Sequence, residues 1–134
     1  MPRTNPPQIW IVDDDEDDQY LFAGAFKSLS PSLRVQLFND GEDLLPALAQ
    51  STRLPDLIIL DLNMPRVNGF EALKLLRAEP SYQRLPVIVL TTSDQLEDQT
   101  KALALGADGF LTKPPSFDKI LILFEQLVQQ WQLV

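Results

Sequence analysis

Leu57-Ile58-Ile59-Leu60-Asp61-Leu62-Asn63-Met64-Pro65-Arg66-Val67-Asn68-Gly69 sets four large apolar residues directly against an aspartate, then closes a polar loop with a proline and a glycine. The apolar run does not alternate with polar residues, as expected of a strand buried on both faces in a parallel sheet. Such a strand places Asp61 at its carboxyl end, where open α/β sheets bind their ligands. Taken alone, Asp61 reads more readily as a loop acid than as a reactive group.

The same punctuation recurs on either side. Ile9-Trp10-Ile11-Val12 stops abruptly at Asp13, and Val35 to Phe38 runs into the turn Asn39-Asp40-Gly41. Val87 to Leu90 gives way to Thr91-Thr92-Ser93-Asp94, and Phe110 to Thr112 precedes Lys113-Pro114-Pro115. Helical spacing fills the intervals. Tyr20, Leu21, Phe26 and Leu29 recur until Ser30-Pro31 stops them. Glu42 to Ala49 carries acids in its first turn, where the helix dipole favours anions, and needs Pro46 near its start. Phe70, Leu73, Leu76 and Arg77 lead up to Pro80; Gln95 to Leu105 ends at Gly106, a left-handed C′ residue by expectation; Phe117 to Gln132 closes the chain. Five strands alternating with five helices predict an α/β fold, a doubly wound parallel sheet, for which the flavodoxin-like order 2-1-3-4-5 is the natural choice among five-stranded sheets rather than something the alternation itself dictates. Residues 9–134 form its one domain, behind a short proline-bearing N-terminal arm over residues 1–8 that is no signal peptide.

What is missing narrows the chemistry. The 134 residues contain no cysteine and no histidine, which disfavours disulfides, thiolate metal sites, serine-type triads, zinc hydrolases and imidazole acid–base enzymes together. Carboxylate, amide, hydroxyl and ammonium groups remain, a set suited to a hard cation such as Mg²⁺. Of 19 acids six are consecutive, Asp13 to Asp18, and the other 13 face 11 bases, so the net charge of −8 is a local feature. No basic footprint for nucleic acid exists, and no apolar run approaches a membrane span; a cytoplasmic location is the expectation.

Side by side in a parallel sheet, the strand ends bring Asp13 and Asp14, Asp61, Thr91 and Lys113 to one rim. Clustered carboxylates repel unless a cation sits among them. A lysine and a hydroxyl opposite them suit a transferred phosphoryl group, whose charge lies on its equatorial oxygens. Each residue has a plainer reading: a solvated acidic loop for Asp13 to Asp18, a core ring for Phe110, a surface charge for Lys113, and Thr92 as a competitor for Thr91. Their joint occurrence at ordered strand ends reverses those readings.

Val12-Asp13-Asp14, Asp61-Leu62-Asn63-Met64-Pro65 with Asn68-Gly69, Pro86 to Thr91, and Gly106 to Pro114 together resemble the receiver domains of bacterial two-component response regulators. The resemblance covers Ile9 to Trp131. It implies that Asp61 is the phosphoacceptor, served by a histidine kinase or histidine phosphotransfer protein. It implies direct Mg²⁺ binding by Asp14 and Asp61, with Asn63 acting through its backbone carbonyl and Asp13 through water; Mn²⁺ is an expected substitute. Thr91 would bond the phosphoryl oxygen, Lys113 would pair with it, and Phe110 would repack as Thr91 moves. A cis Lys113–Pro114 peptide also belongs to the pattern. The chain departs from it at Phe110, where tyrosine is frequent, and at Pro115, where a large apolar residue is common. Asn63 and Ser93 would flank the phosphoryl group.

The resemblance extends to stand-alone receivers, including partners of phytochrome-type kinases, and with the last residue at Val134 the expectation is of no separate output domain. Output is then expected from helix four, strand five and helix five. On the last helix Ile120, Leu121, Leu123, Phe124, Leu127, Val128 and Trp131 form a broad stripe, with Ile122 opposite. That stripe reads either as a deeply seated helix or as a face for a partner or a second copy, a homodimer. Two rivals stand beside the phosphoacceptor, which is itself no enzyme in the ordinary sense. A phosphohydrolase with an aspartyl nucleophile would want an acid where Asn63 stands; a receiver-like module that is never phosphorylated would have no use for Asp14, Asp61, Thr91 and Lys113 together.

Overall fold

The computed structural model describes residues 5–133. In chain order its regular elements are β1 (Gln8–Val12), α1 (Glu16–Leu29), β2 (Arg34–Phe38), α2 (Leu44–Gln50), β3 (Leu57–Leu60), α3 (Gly69–Ala78), β4 (Val87–Thr91), α4 (Leu96–Ala104), β5 (Gly109–Thr112) and α5 (Phe117–Gln130). The strands form one parallel sheet, as the alternation predicts, in the order β2-β1-β3-β4-β5 that the receiver resemblance implies. Residues 1–4 of the expected arm lie outside the described residues. The arm also ends earlier than expected. Gln8 already pairs with Arg34, and the Pro7 carbonyl accepts from the Arg34 N–H.

Period-two alternation explains why β3 is apolar throughout. Leu57 and Ile59 face a cluster with Ile9, Ile11, Phe22, Phe26 and Phe124. Ile58 and Leu60 face the other side, among Trp10, Val12, Leu73, Leu76 and Val89. Both faces are covered by helices, so neither set of side chains meets water. Burying each such side chain contributes about 1.5–3 kcal/mol.

The helices begin where local chemistry starts them. Asp15 caps α1 by accepting from the Asp18 N–H at 3.0 Å, so the acidic run is part loop and part helix start. Asn68 and Glu71 form a reciprocal capping box at the head of α3. The expected helix over Glu42 to Ala49 is divided: Gly41–Asp43 is a 3-10 turn, and α2 follows from Leu44. The Asp40 carboxylate accepts from the Glu42 N–H and tightens that turn. Pro46 falls in the first turn of α2, where a missing N–H has no partner to lose. Gly106 does take the left-handed conformation after α4, with φ +107°.

Two expectations change at the C-terminal end. The described residues contain no cis peptide bond, so Lys113–Pro114 is trans, the isomer favoured by about 0.5–1 kcal/mol before proline. The stripe on α5 mostly enters the chain's own core. Phe124 stacks on Phe26 at 4.1 Å and meets Phe22 edge-on at 5.5 Å. What stays exposed is Ile122, at 58%, and Phe117 at the helix start.

Candidate functional site

The strand ladder continues past the strands and fixes the rim. The Asp61 N–H donates to the Val12 carbonyl at 2.9 Å, that of Asp13 to Phe38 at 3.0 Å, and that of Lys113 to Thr91 at 2.7 Å. Asp61, Asp13 and Thr91 are buried there, while Asp14 is exposed. Carboxylate oxygens of Asp13, Asp14 and Asp61 lie within 4.8 Å of one another. The Lys113 ammonium reaches into this cluster, 2.9 Å from Asp13 Oδ2 and 3.7 Å from Asp61 Oδ2.

Three acids against so little positive charge shift the titrations. Burial pushes the Asp13 carboxyl up to about 6, with the neighbouring Asp61 adding to the effect; the Asp15 N–H and Lys113 offset only part of it. Burial also raises Asp61, as does Asp14, against the pull of Lys113, the Leu62 N–H and the Thr91 hydroxyl. Burial alone would lower Lys113, but its bonds to Asp18 and Asp13 and the charges of Asp13 and Asp61 raise it. An extra cation among the carboxylates would relieve the strain that Lys113 does not.

The other site residues take distinct places. Thr91 is fully buried at the end of β4, where its hydroxyl favours the ionised form of Asp61, whereas its competitor Thr92 is exposed. Asn63 is exposed and lines an open groove of about 420 Å³ with Asp14, Met64, Pro65, Asn68 and Phe70. Phe110 is half-buried, in register with Val89 and packed on the cluster beneath α2, α3 and α4. The Ser93 hydroxyl donates to Asp98 at 2.6 Å, which holds it toward α4.

Three residues that sequence reasoning passed over brace the rim. Asp18 holds Lys113 Nζ at 2.7 Å, closer than any other acid. Gln19 is buried; its amide donates to the Asp13 carbonyl at 2.6 Å and to Asn39 Oδ1 at 2.8 Å, tying the loops after β1 and β2 together. Asp40 accepts from the Val67 N–H at 2.8 Å and the Arg66 N–H at 3.0 Å, pinning the loop after β3. The Asn39-Asp40-Gly41 turn signals a capping acid, but nothing local signals a partner 27 residues away. Gly69 closes the same loop: a Cβ there would run into the Asp61 carbonyl oxygen and the Leu62 Cα.

The fold and rim thus define a doubly wound α/β domain with an acidic site at the carboxyl ends of β1 and β3. The model of the response regulator receiver domain matches residues 9–125, and the chain belongs to that family. The protein RcaC of Microchaete diplosiphon is 37% identical over 109 residues, 81% of this chain but only 16% of RcaC. Among solved structures, the phosphorylated cyanobacterial phytochrome response regulator RcpA superposes with a TM-score of 0.88 at 27% identity, covering 95% of this chain and 94% of RcpA. The Mn²⁺-bound form of the response regulator Rcp1 gives 0.83 at 28% identity, covering 94% of each chain.

Proposed function

We infer that this chain accepts a phosphoryl group on Asp61 from a phosphohistidine of a partner histidine kinase or histidine phosphotransfer protein. The observation that carries the reading is the convergence of Asp61 with Thr91 and Lys113 inside a cluster of acids. A carboxylate oxygen of Asp61 forms the new bond to phosphorus as the P–N bond breaks and its electron pair leaves with the imidazole; the product is an acyl phosphate. Lys113 and Thr91 face the equatorial oxygens of the group in transit. The chain's own chemistry extends no further than this transfer and the later loss of the phosphoryl group.

An all-oxygen donor set, with three carboxylates close enough to share one ion, fits Mg²⁺, with Mn²⁺ as a substitute. Asp14 and Asp61 would hold it directly, Asn63 through its backbone carbonyl and Asp13 through water. When bound, such an ion supplies neutralising charge to the carboxylates and to phosphoryl oxygens.

The output face in this reading is α4, β5 and α5, moved through Thr91 and Phe110 to bind a partner or a second copy. Its support is apolar exposure: Leu96 at 75% and Leu103 at 44% on α4, with Ile122 on α5. Light scattering with and without a phosphoryl mimic tests the second copy; a monomer in both states removes it. The cytoplasm is the place of action, and no described helix is long and apolar enough to cross a membrane.

Incubation with Mg²⁺ and a small acyl-phosphate donor tests the central step. Intact mass should rise by one phosphoryl group, and Asp61→Asn should abolish the gain. No adduct at saturating donor defeats the reading, and rapid turnover of varied phosphoesters replaces it with a hydrolase.

A further inference from the structure

Lys113 is held from α1 as well as from the site. Its ammonium lies 2.7 Å from Asp18 Oδ2, with 2.9 Å to Asp13 and 3.7 Å to Asp61. It also stands 5.9 Å from the centre of the Phe22 ring. Asp18 and Phe22 are four residues apart on α1, so they share one helical face, and an ion pair and an aromatic ring form a cradle for the ammonium. Local bonds anchor the stretch of α1 that carries the cradle. The Asp18 N–H is bound by the Asp15 cap, and the neighbouring Gln19 amide is bonded to the Asp13 carbonyl.

We propose that Asp18 is a positioning residue that draws the Lys113 ammonium to the α1 side of the pocket, between Asp18 and Asp13, and leaves Asp61 for a divalent cation. The proposal rests on the phosphoacceptor reading of Asp61 and adds a regulator to that site. Without the Asp18 charge, the ammonium has only Asp13 and Asp61 to neutralise it, the carboxylates a cation also needs. Lysine and cation then compete for the same oxygens. With Asp18 in place the ammonium is satisfied by Asp18 and Asp13 and stands farther from Asp61, and a phosphoryl group on Asp61 later supplies a stronger reason for Lys113 to turn inward.

Loss of any acid near the rim weakens cation binding by general electrostatics, so the comparison must be charge-matched. Asp17 is exposed on the same helical turn, and Asp17→Asn removes the same charge without touching Lys113. Calorimetric titration with MnCl₂, in the absence of any phosphoryl donor, should show Asp18→Asn binding about fivefold more weakly than Asp17→Asn, the scale of a largely buried ion pair still in contact with solvent on the Asp18 side. Asp18→Glu should recover most of the loss, and Asp18→Ser should repeat it, which guards against a folding defect in one variant. In a Lys113→Ala background the Asp18 and Asp17 variants should become equal, because the competing ammonium is gone. Equal affinities with Lys113 present, or an Asp18-specific loss that persists without Lys113, overturns the proposal. Phosphoryl uptake by the unmodified chain is scored separately, so failure of the cradle and failure of the phosphoacceptor give different results.

Discussion

Burial disfavours the charged form of Asp61, while Lys113, the Leu62 N–H and the Thr91 hydroxyl favour it. The buried Asp61 carboxyl therefore stays ionisable through three named neighbours. Asp40 carries a similar balance with the opposite outcome. Burial raises its carboxyl, but N–H bonds from Glu42, Arg66 and Val67 and the Arg66 charge outweigh that and hold it below its ordinary value of 3.8. A depressed folded-state pKa stabilises the fold fully above the unfolded value, and the benefit is lost as pH falls through the lower folded value. Asp40→Asn should thus cost about 1–3 kcal/mol at neutral pH, because an amide cannot accept all three bonds. The gap to the unmodified chain should shrink steadily below pH 4. Thermal unfolding followed from pH 7 to pH 2 measures it; a gap that does not narrow in acid would mean that the charge of Asp40 is irrelevant.

Among the elements, α5 best separates what a pattern shows from what packing decides. Phe124 is fully buried against Phe22 and Phe26, so Phe124→Ala should cost about 3–5 kcal/mol. Ile122 faces outward, and Ile122→Ser should stay within about 0.5 kcal/mol of the parent in urea unfolding. Comparable losses from both would mean that α5 is seated in another rotation. The periodicity of this helix was legible, and so were all five strands, because unbroken apolar runs ending in Asp13, Asp61 and Thr91 leave few other folds. Whether its stripe seats the helix or docks a partner was not legible: seven apolar positions look alike on a wheel, and only packing against α1 shows that most are core. The same limit applies to the site. Asp13, Asp14, Asp61, Thr91 and Lys113 stand at strand ends and can be placed by counting strands. Asp18, Gln19 and Asp40 act across 95, 20 and 27 residues of sequence, and no local signal encodes those distances. The trans Lys113–Pro114 bond lies beyond sequence reading as well, since proline tolerates both isomers at similar energy.

Across the whole molecule, a divalent ion that binds the folded chain alone should raise its stability by mass action, about 2.7 kcal/mol at a hundredfold excess over the dissociation constant. Melting temperature measured against MgCl₂ and MnCl₂ should therefore climb with concentration, and the gain should fall sharply in Asp14→Asn. An equal gain from NaCl at matched ionic strength would point to screening of the −8 net charge instead. In the proposed function, fold, acidic rim and cradle all serve one event at one carboxylate, Asp61. The most direct measurement of it is chemical: expose the chain to Mg²⁺ and an acyl-phosphate donor, reduce with borohydride, and map the peptides by mass spectrometry. Homoserine at position 61 alone, formed only when a divalent cation is present, is the expected result. Homoserine at Asp13 or Asp14, or a phosphoryl group on a serine or threonine with Asp61 unmodified, would contradict it.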